Sequence, residues 1–230
     1  MIQSLLKHYK ERFYFNNFYN QLLSDISGAP ERYITSNTFL SGVLPSSIEI
    51  KRSLTILTKN GDIRIDLPVW FGNPENARKI VVIGLEPRDT DKSGSLNIER
   101  EGNYVFATPF AIERPHGPYY PVFQPFFNKN EAFIYFTDVV KSYEINTNDK
   151  SSDDKHARQS FRKKALLELS FLKRELEIIQ PSKIIALGNV SFDFLYKTLG
   201  KMYDIRKVRH PSYGGSRLAH QQFSEILTTL

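Results

Sequence analysis

The sequence predicts an α/β fold built on a largely parallel sheet. Residues 80–83 form a continuous apolar run, which is the pattern of a strand buried on both faces. Further apolar runs at residues 132–140 and 183–187 are typical of strands, a last strand is expected near residues 205–208, and segments of helical periodicity separate the later strands. Strands that alternate with helices join as parallel neighbours through right-handed crossovers, so this order favours a parallel sheet covered by helices.

The N-terminal segment is predicted to add a helix and a β-hairpin. Residues 2–24 carry apolar side chains at roughly helical spacing. Residues 53–67 alternate between apolar and polar side chains on both sides of Asn60-Gly61, a favoured tight-turn pair. A polar, proline-containing stretch at residues 73–76 then separates this hairpin from the strand at residues 80–83.

The remaining elements follow from the same patterns. Residues 87–130 are rich in Pro, Gly and aromatic side chains and are expected to be mostly loop. Residues 146–155 form a polar loop. The apolar stripe that follows predicts a helix of about twenty residues, and Pro181 ends this helix. A short helix at residues 191–199 and a closing helix at residues 218–227 complete the prediction.

Length and composition indicate one ordinary globular domain. We expect a single domain over residues 1–230, with residues 1–78 as an N-terminal extension and residues 79–230 as the core. Hydrophobic residues make up 40% and charged residues 24% of the chain, which is typical of soluble proteins. The net charge of +6 favours a polyanionic partner, although a surface tuned for solubility would have the same balance.

Several classes of protein are excluded by composition and motifs. The chain has no cysteine, so disulfides, thiolate nucleophiles and cysteine-bound zinc or iron–sulfur clusters are ruled out. Neither a nucleotide-binding glycine-rich loop nor the elbow of serine hydrolases occurs, and we expect no metal and no cofactor. The absence of a signal-like segment and of long apolar runs predicts a cytoplasmic protein without a membrane span.

Two loops carry the most chemical information. Gly84-Leu85-Glu86-Pro87 follows the strand at residues 80–83, and His210-Pro211-Ser212 follows the strand near residues 205–208. Because ligands of open α/β sheets bind at the carboxyl ends of the strands, a carboxylate loop and a histidine loop can converge there on one ligand.

Four pieces of the sequence, in order, resemble motifs of the uracil-DNA glycosylase superfamily. Val-Ile-Gly-Leu-Glu-Pro at residues 82–87 is similar to the strand and water-activating loop. Phe-Thr-Asp-Val-Val-Lys at residues 136–141 is similar to the strand that carries a base-reading residue, usually Asn. Residues 172–188 resemble a helix–strand segment of the bacterial branch that holds an iron–sulfur cluster, and Val-Arg-His-Pro-Ser at residues 208–212 resembles the final motif.

The resemblance implies a fold and a reaction. The fold is three-layered, with a central, mostly parallel four-stranded sheet between helices and a pocket at the carboxyl ends of the strands. The reaction is base excision from DNA, in which a deaminated or damaged base is flipped out of the strand and its N-glycosidic bond is hydrolysed. We therefore expect a monomeric, monofunctional glycosylase that binds single- or double-stranded DNA.

The resemblance also implies roles for the two loops. His210 would donate a hydrogen bond to the base oxygen as negative charge develops, and Glu86 would orient the attacking water or stabilise the cationic sugar. Asp89 and Asp91 lie close behind Glu86 and are alternatives for its role.

Asp138 stands at the position that is usually Asn, and specificity depends on it. An ionised carboxylate only accepts hydrogen bonds and would repel the O4 atom of uracil. Either burial keeps the carboxyl protonated, so that its hydroxyl replaces the amide donor, or the preferred base offers donors of its own. An Asp that only binds backbone amides at a strand end is the structural alternative.

Further residues complete the implied site. Phe110 or Phe106 would stack on the flipped base, and Gly84, Leu85, Pro87 and Ser212 would line its pocket. Lys141, Arg209, Tyr213 and Arg217 are the candidates for contact with DNA. Lys207 and Arg206 could also meet phosphates, Leu218 could act as a wedge, and His116 fits a loop residue better than a catalyst.

The departures from the family pattern leave alternatives open. The apolar wedge that follows the histidine motif in some relatives is replaced by Tyr213-Gly214-Gly215, and residues 1–78 have no counterpart. A nucleic-acid-binding or regulatory protein that kept the fold without the activity is the main alternative to an enzyme. A hydrolase of free nucleosides or small ligands is the third reading.

Overall fold

A computed structural model describes residues 1–13, 62–66, 68–86, 99–101, 104–107, 118–127, 132–145, 155–211 and 215–228. The helices in this part of the chain are α1 (Ile2–Phe13), α2 (Tyr120–Phe127), α3 (Lys155–Ile179), α4 (Gly188–Leu199) and α5 (Ser216–Thr228). The strands are β1 (Asp62–Asp66), β2 (Val69–Phe71), β3 (Lys79–Gly84), β4 (Glu99–Glu101), β5 (Tyr104–Ala107), β6 (Phe133–Asp138), β7 (Ser142–Ile145), β8 (Lys183–Leu187) and β9 (Ile205–Val208).

The main sheet contains the four predicted strands. Its order is β2-β6-β3-β8-β9, and the last four strands of this order are parallel to one another. The short strand β2 adds an antiparallel edge beside β6, which the sequence pattern did not predict. The expected mostly parallel sheet is confirmed, with one more strand than expected.

Helices cover both faces of this sheet. Tyr135 and Phe136 are neighbours on β6, so their side chains point to opposite faces. The Tyr135 hydroxyl donates to Glu175 on α3, while the Phe136 ring packs edge-on against Phe123 of α2, with ring centroids 5.0 Å apart. Phe123 in turn packs against Phe223 of α5, 4.8 Å away. The architecture is therefore α/β/α, as expected.

The core explains why the strands are so apolar. Residues 80–83 of β3 are fully buried, because helices cover both faces of the sheet. Helix α1 packs against α3, and its Leu5 is 1% exposed. The His8 ring of α1 stacks on Phe171 of α3 with centroids 3.8 Å apart.

A second sheet, β4-β5-β1-β7, accompanies the main one. Residues 87–130 were expected to be mostly loop, and their described part contains β4, β5 and α2. Strand β1 pairs with β5 in parallel and with β7 in antiparallel orientation, and not with a strand in a local hairpin among the described residues. Alternation in residues 62–66 marks a strand but does not select its partner, and residues 53–61 lie outside the described part.

The helix ends agree with the predictions where they are described. Helix α3 has 25 residues, a few more than expected, and ends just before Gln180, which has a φ of 54°. The left-handed residue followed by Pro181 stops the helix. Helix α1 confirms the predicted N-terminal helix over residues 2–13, and its predicted continuation to residue 24 lies outside the described residues. None of the helices described is long and apolar enough to cross a membrane.

Candidate functional site

The candidate site lies where the four parallel strands end. Gly84 of β3 is in register with Asp138 of β6, and Leu187 of β8 is in register with Val208 of β9. The loops that follow these strands therefore lie at one edge of the sheet. Because β8 separates β3 from β9, a spacing of about 4.8 Å per strand puts the strands before Glu86 and His210 about 10 Å apart. The acidic loop and the histidine loop therefore lie at the same end of the sheet, where the parallel strands have their carboxyl ends.

Backbone hydrogen bonds join the first loop to the end of β6. The amide of Val139 donates to the carbonyl of Gly84 over 3.2 Å, and the amide of Val140 donates to the carbonyl of Leu85 over 3.0 Å. Glu86 is buried immediately beyond this pair of bonds, with 9% of its surface exposed. These bonds continue the parallel pairing of β3 and β6 past the strands, and they hold Glu86 close to the end of β6, where Asp138 lies.

A buried lysine holds the backbone of Asp138. Asp138 is 3% exposed, and its backbone carbonyl accepts a hydrogen bond from the ammonium of Lys141 over 2.6 Å. Because side chains alternate along a strand, Asp138 shares the face of Phe136, which is the face that α2 covers.

The ammonium of Lys141 belongs to a buried network. Lys141 and Glu175 are 1% and 0% exposed, and their charged groups lie 2.6 Å apart. Glu175 also accepts hydrogen bonds from the hydroxyls of Tyr135 and Thr137, over 2.5 and 3.1 Å, and Lys141 donates to Thr137. The prediction that Lys141 contacts DNA is therefore corrected, since its charge is enclosed between β6 and α3 and cannot reach a phosphate.

His210 is packed between two residues that the sequence patterns did not single out. Its Nε2 atom lies 2.9 Å from the hydroxyl of Tyr119, just before α2, and the two rings meet edge to face at 5.4 Å and 81°. On another side it borders Gly188, where an added Cβ would lie 3.4 Å from the Cβ and 3.6 Å from the Cδ2 of His210. Burial lowers the pKa of His210 below its ordinary value.

The consequence for His210 is electrical neutrality near pH 7. Removing an imidazole from water disfavours its charged form. A neutral imidazole has one N–H donor and one acceptor nitrogen, so it can donate a hydrogen bond to only one partner at a time.

Gly188 makes the passage from β8 to α4 possible. Its φ is +80°, a conformation that glycine adopts without steric penalty. Helix α4 starts at this residue without a side-chain cap, and the hydroxyl of Ser191 donates back to the carbonyl of Leu187. The tight turn brings the start of α4 directly against His210.

The cationic candidates beside the histidine loop are exposed. Arg209 and Arg217 are both at the surface, and the backbone amide of Arg209 donates to Oε1 of Gln222 over 2.7 Å. This bond ties the loop to α5 while leaving the guanidinium in solvent. Leu218, the suggested wedge, is 41% exposed on the first turn of α5.

Other predicted site residues cannot be placed. Pro87, Asp89, Asp91, Phe110, His116, Ser212 and Tyr213 lie outside the described residues. Phe106 has its backbone in β5, in register with Ile65 of β1, and its side chain is outside the described part. In the described part of the chain, no group of three or more His, Asp or Glu side chains could hold a metal ion.

Tyr119, Gly188 and Glu175 are the residues that sequence reasoning missed. Tyr119 follows Gly117-Pro118 in a segment without periodicity, and many other aromatic residues in the chain are core residues. Gly188 directly follows a predicted strand, which is the signal for a tight strand-to-helix turn. Glu175 occupied an ordinary position in a charged helix, and nothing local marks it as buried.

These features define the class of protein. It is an α/β protein whose four parallel strands end beside a buried glutamate, a buried aspartate and a neutral imidazole. Residues 69–230 match the family model described as the uracil DNA glycosylase superfamily. The match covers well over half of the chain, so the protein belongs to this superfamily, and the resemblance seen in the motifs is confirmed. A search of curated proteins gives no match. Membership indicates a glycosylase-type chemistry on DNA.

Proposed function

We propose that the protein is a monofunctional DNA glycosylase that removes a deaminated or damaged base by hydrolysis. The observation that supports this most strongly is the shared position of Glu86, Asp138 and His210 at one sheet edge, within a chain of this superfamily. A flipped-out base needs a carboxylate near the sugar, a reader at its edge and a donor at its oxygen. These three residues supply that set.

The reaction separates charge, and each residue has a place in it. The C1′–N bond breaks, and its electron pair leaves with the base, whose oxygen becomes more negative. The N–H of neutral His210 donates a hydrogen bond to that oxygen. Glu86 stabilises the cationic sugar and orients a water molecule, which forms the new C1′–O bond. The proton released by this water passes to Glu86 and then to the departing base or to solvent.

Strand cleavage is not part of this proposal. None of the matched motif loops places a lysine on the sugar, and the ammonium of Lys141 is bound to Glu175. The proposed product is therefore an abasic site in an intact strand.

Specificity is proposed to reside in Asp138. Asp138 is buried at the end of β6, in register with Gly84 of the acidic loop, and the resemblance of the motif assigns the base reader to this position. In its ionised form the carboxylate accepts hydrogen bonds only, and it then favours a base edge with donors, such as an amino group or a protonated ring nitrogen. Uracil, hypoxanthine and xanthine are the deaminated bases to test.

The test is a base-release assay. Single- and double-stranded oligonucleotides that contain uracil, hypoxanthine, xanthine or a mismatch are incubated with the protein and then heated in alkali, which cuts at abasic sites. We expect cleavage with at least one substrate, and His210→Ala should slow it by about 100- to 1,000-fold, because one preorganised donor is lost. His220→Ala is the matched control, since that imidazole contacts the carbonyl of Val122 on α2 and has no proposed role in base release.

The outcomes separate the alternatives. Release of a base that is equally fast in His210→Ala contradicts the proposed site. Salt-sensitive DNA binding without release of any base indicates the non-catalytic binding protein. Absence of DNA binding indicates a small-ligand hydrolase.

A further inference from the structure

The peptide group that joins Asp138 to Val139 is held at both of its polar ends. Its carbonyl, which belongs to Asp138, accepts a hydrogen bond from the ammonium of Lys141 over 2.6 Å. Its N–H, which belongs to Val139, donates to the carbonyl of Gly84 over 3.2 Å. We propose that Lys141 is a positioning residue that fixes Asp138 relative to the loop of Glu86. This inference rests on the proposed function, in which Asp138 reads the base and Glu86 acts at the sugar.

The ammonium that holds this carbonyl is itself fixed in place. Lys141 is 1% exposed, and its Nζ atom lies 2.6 Å from Oε2 of Glu175, which is 0% exposed on α3. The ammonium also donates to the hydroxyl of Thr137. An ammonium has three protons to donate, and these contacts together with the carbonyl give it three acceptors. Its grip on the peptide group is therefore set from helix α3.

Lys141 also closes a short turn that carries both parts of the site. Its ammonium reaches back three positions to the carbonyl of Asp138. Inside this turn, the amide of Val140 donates to the carbonyl of Leu85 over 3.0 Å. Leu85 directly precedes Glu86, which is 9% exposed. The turn thus begins at the proposed base reader and binds the acidic loop through its amides, so its shape sets their relative position.

The charge on Lys141 strengthens more than one bond. Hydrogen bonds from charged donors are stronger than neutral ones. A carbonyl that accepts such a bond polarises its peptide group, and the N–H of the same group becomes a better donor. The bond from Val139 to Gly84 is therefore expected to be stabilised by Lys141. The separation of reader and carboxylate matters, because a misplacement of about 1 Å can slow a reaction by about 100-fold.

The test removes the ammonium without leaving a buried charge. Lys141→Met/Glu175→Leu deletes both charges together, whereas Lys141→Met alone would leave the carboxylate unpaired. Hydrogen exchange of backbone amides, followed by NMR without substrate, reports the hold on the peptide group. We expect the protection of the Val139 amide to fall by about 10- to 100-fold more than that of amides in the middle of β3, since a charge-assisted hydrogen bond is lost.

The same variant should be slower in the base-release assay. We expect kcat to fall by about tenfold to 100-fold, as for a misplaced reacting group, while KM changes little. A role limited to stability would leave kcat of the folded variant unchanged.

Tyr135→Phe is the matched control in the same network. The Tyr135 hydroxyl donates to Oε1 of Glu175 over 2.5 Å, so this variant also removes a buried hydrogen bond on β6. The ammonium and its bond to the carbonyl of Asp138 are retained. Stability should fall, whereas kcat and the protection of Val139 relative to β3 should remain as in the wild-type protein.

A second variant covers the case in which the first does not fold. Lys141→Gln/Glu175→Gln also deletes both charges, but it keeps an acceptor for the hydroxyl of Tyr135. The loss of protection at Val139 should be in the same direction.

Three results would overturn the proposal. They are a protection of Val139 that changes no more than that of β3, equal effects of the double variant and Tyr135→Phe on this exchange, and an unchanged kcat although the peptide group is loosened. Hydrogen exchange needs no substrate, so it decides whether Lys141 holds the peptide group even if the wild-type protein releases no base. That last result would refute the proposed function separately.

Discussion

At the scale of single residues, the proposed choice of base depends on Asp138. Asp138 is buried at the end of β6, in register with Gly84 of the acidic loop. An Asn at this position would offer a donor and an acceptor, whereas an ionised Asp only accepts. The choice of base should therefore depend on whether this one side chain is a carboxylate or an amide.

We predict that Asp138→Asn increases uracil release. The new amide N–H can donate to O4 of uracil, and removing an unmatched polar contact of this kind is worth about 1–3 kcal/mol, or about 5- to 150-fold in rate. Initial rates on uracil- and hypoxanthine-containing oligonucleotides measure the change in preference.

Asp193→Asn on α4 is the control for this prediction, because that carboxylate is exposed. A folded Asp138→Asn protein with an unchanged rate of uracil release would show that the carboxylate does not read the base. A variant that no longer folds would assign Asp138 a structural role.

At the scale of elements, the buried pair of Lys141 and Glu175 ties strand β6 to helix α3. Its charges lie 2.6 Å apart with almost no exposure, and the same ammonium holds the carbonyl of Asp138. The network thus connects the packing of β6 on α3 to the position of Asp138. Removing one partner of such a pair is expected to lower stability strongly, because the other charge is left buried without a partner or water.

We predict that Lys141→Met lowers the free energy of unfolding by about 3–5 kcal/mol, since Glu175 is left as a buried charge. The double variant Lys141→Met/Glu175→Leu should be less destabilised than Lys141→Met alone. Urea unfolding followed by circular dichroism measures both.

Glu177→Gln is the matched control on the same helix. Glu177 pairs with Arg174 at 3.1 Å, but both side chains are at least half exposed, so its loss should change stability by less than about 1 kcal/mol. Equal effects of Lys141→Met and Glu177→Gln would contradict the buried network.

The elements also show where local patterns stop being informative. The strands β3, β6, β8 and β9 were all predicted, and in β3, β6 and β8 continuous apolar runs report burial on both faces. The short strands β4 and β5 were missed, and three of their residues are the charged Glu99-Arg100-Glu101. The charged strand β4 is held by its pairing with β5, and β5 by its pairing with the distant β1, so burial of the strand itself is not what forms β4.

At the scale of the whole molecule, the charge balance agrees with a partner that is a polyanion. The net charge is +6, and the exposed Arg209 and Arg217 flank the histidine loop. Binding to DNA through such cations releases counterions, so the affinity should fall with increasing salt concentration.

We predict that Arg209→Ala and Arg217→Ala each reduce the slope of log K against log salt concentration by about 1, the loss of about one phosphate contact. Fluorescence anisotropy of labelled oligonucleotides over a salt series measures the slope. Arg162→Ala is the control, since it lies exposed on α3, which covers the other face of the sheet from α5. Equal slopes in all three variants would show that the histidine loop does not face the DNA.

The sequence by itself determined the α/β class, the four central strands, the two chemical loops and the family. These follow from local features, namely apolar runs, helical periodicity and short motifs, which act within a few residues. Only the tertiary structure decided that Lys141 is buried against Glu175 and that Tyr119 contacts His210. The partners in these contacts are 34 and 91 positions apart in the chain, so they depend on strand order and helix packing, which no local pattern specifies.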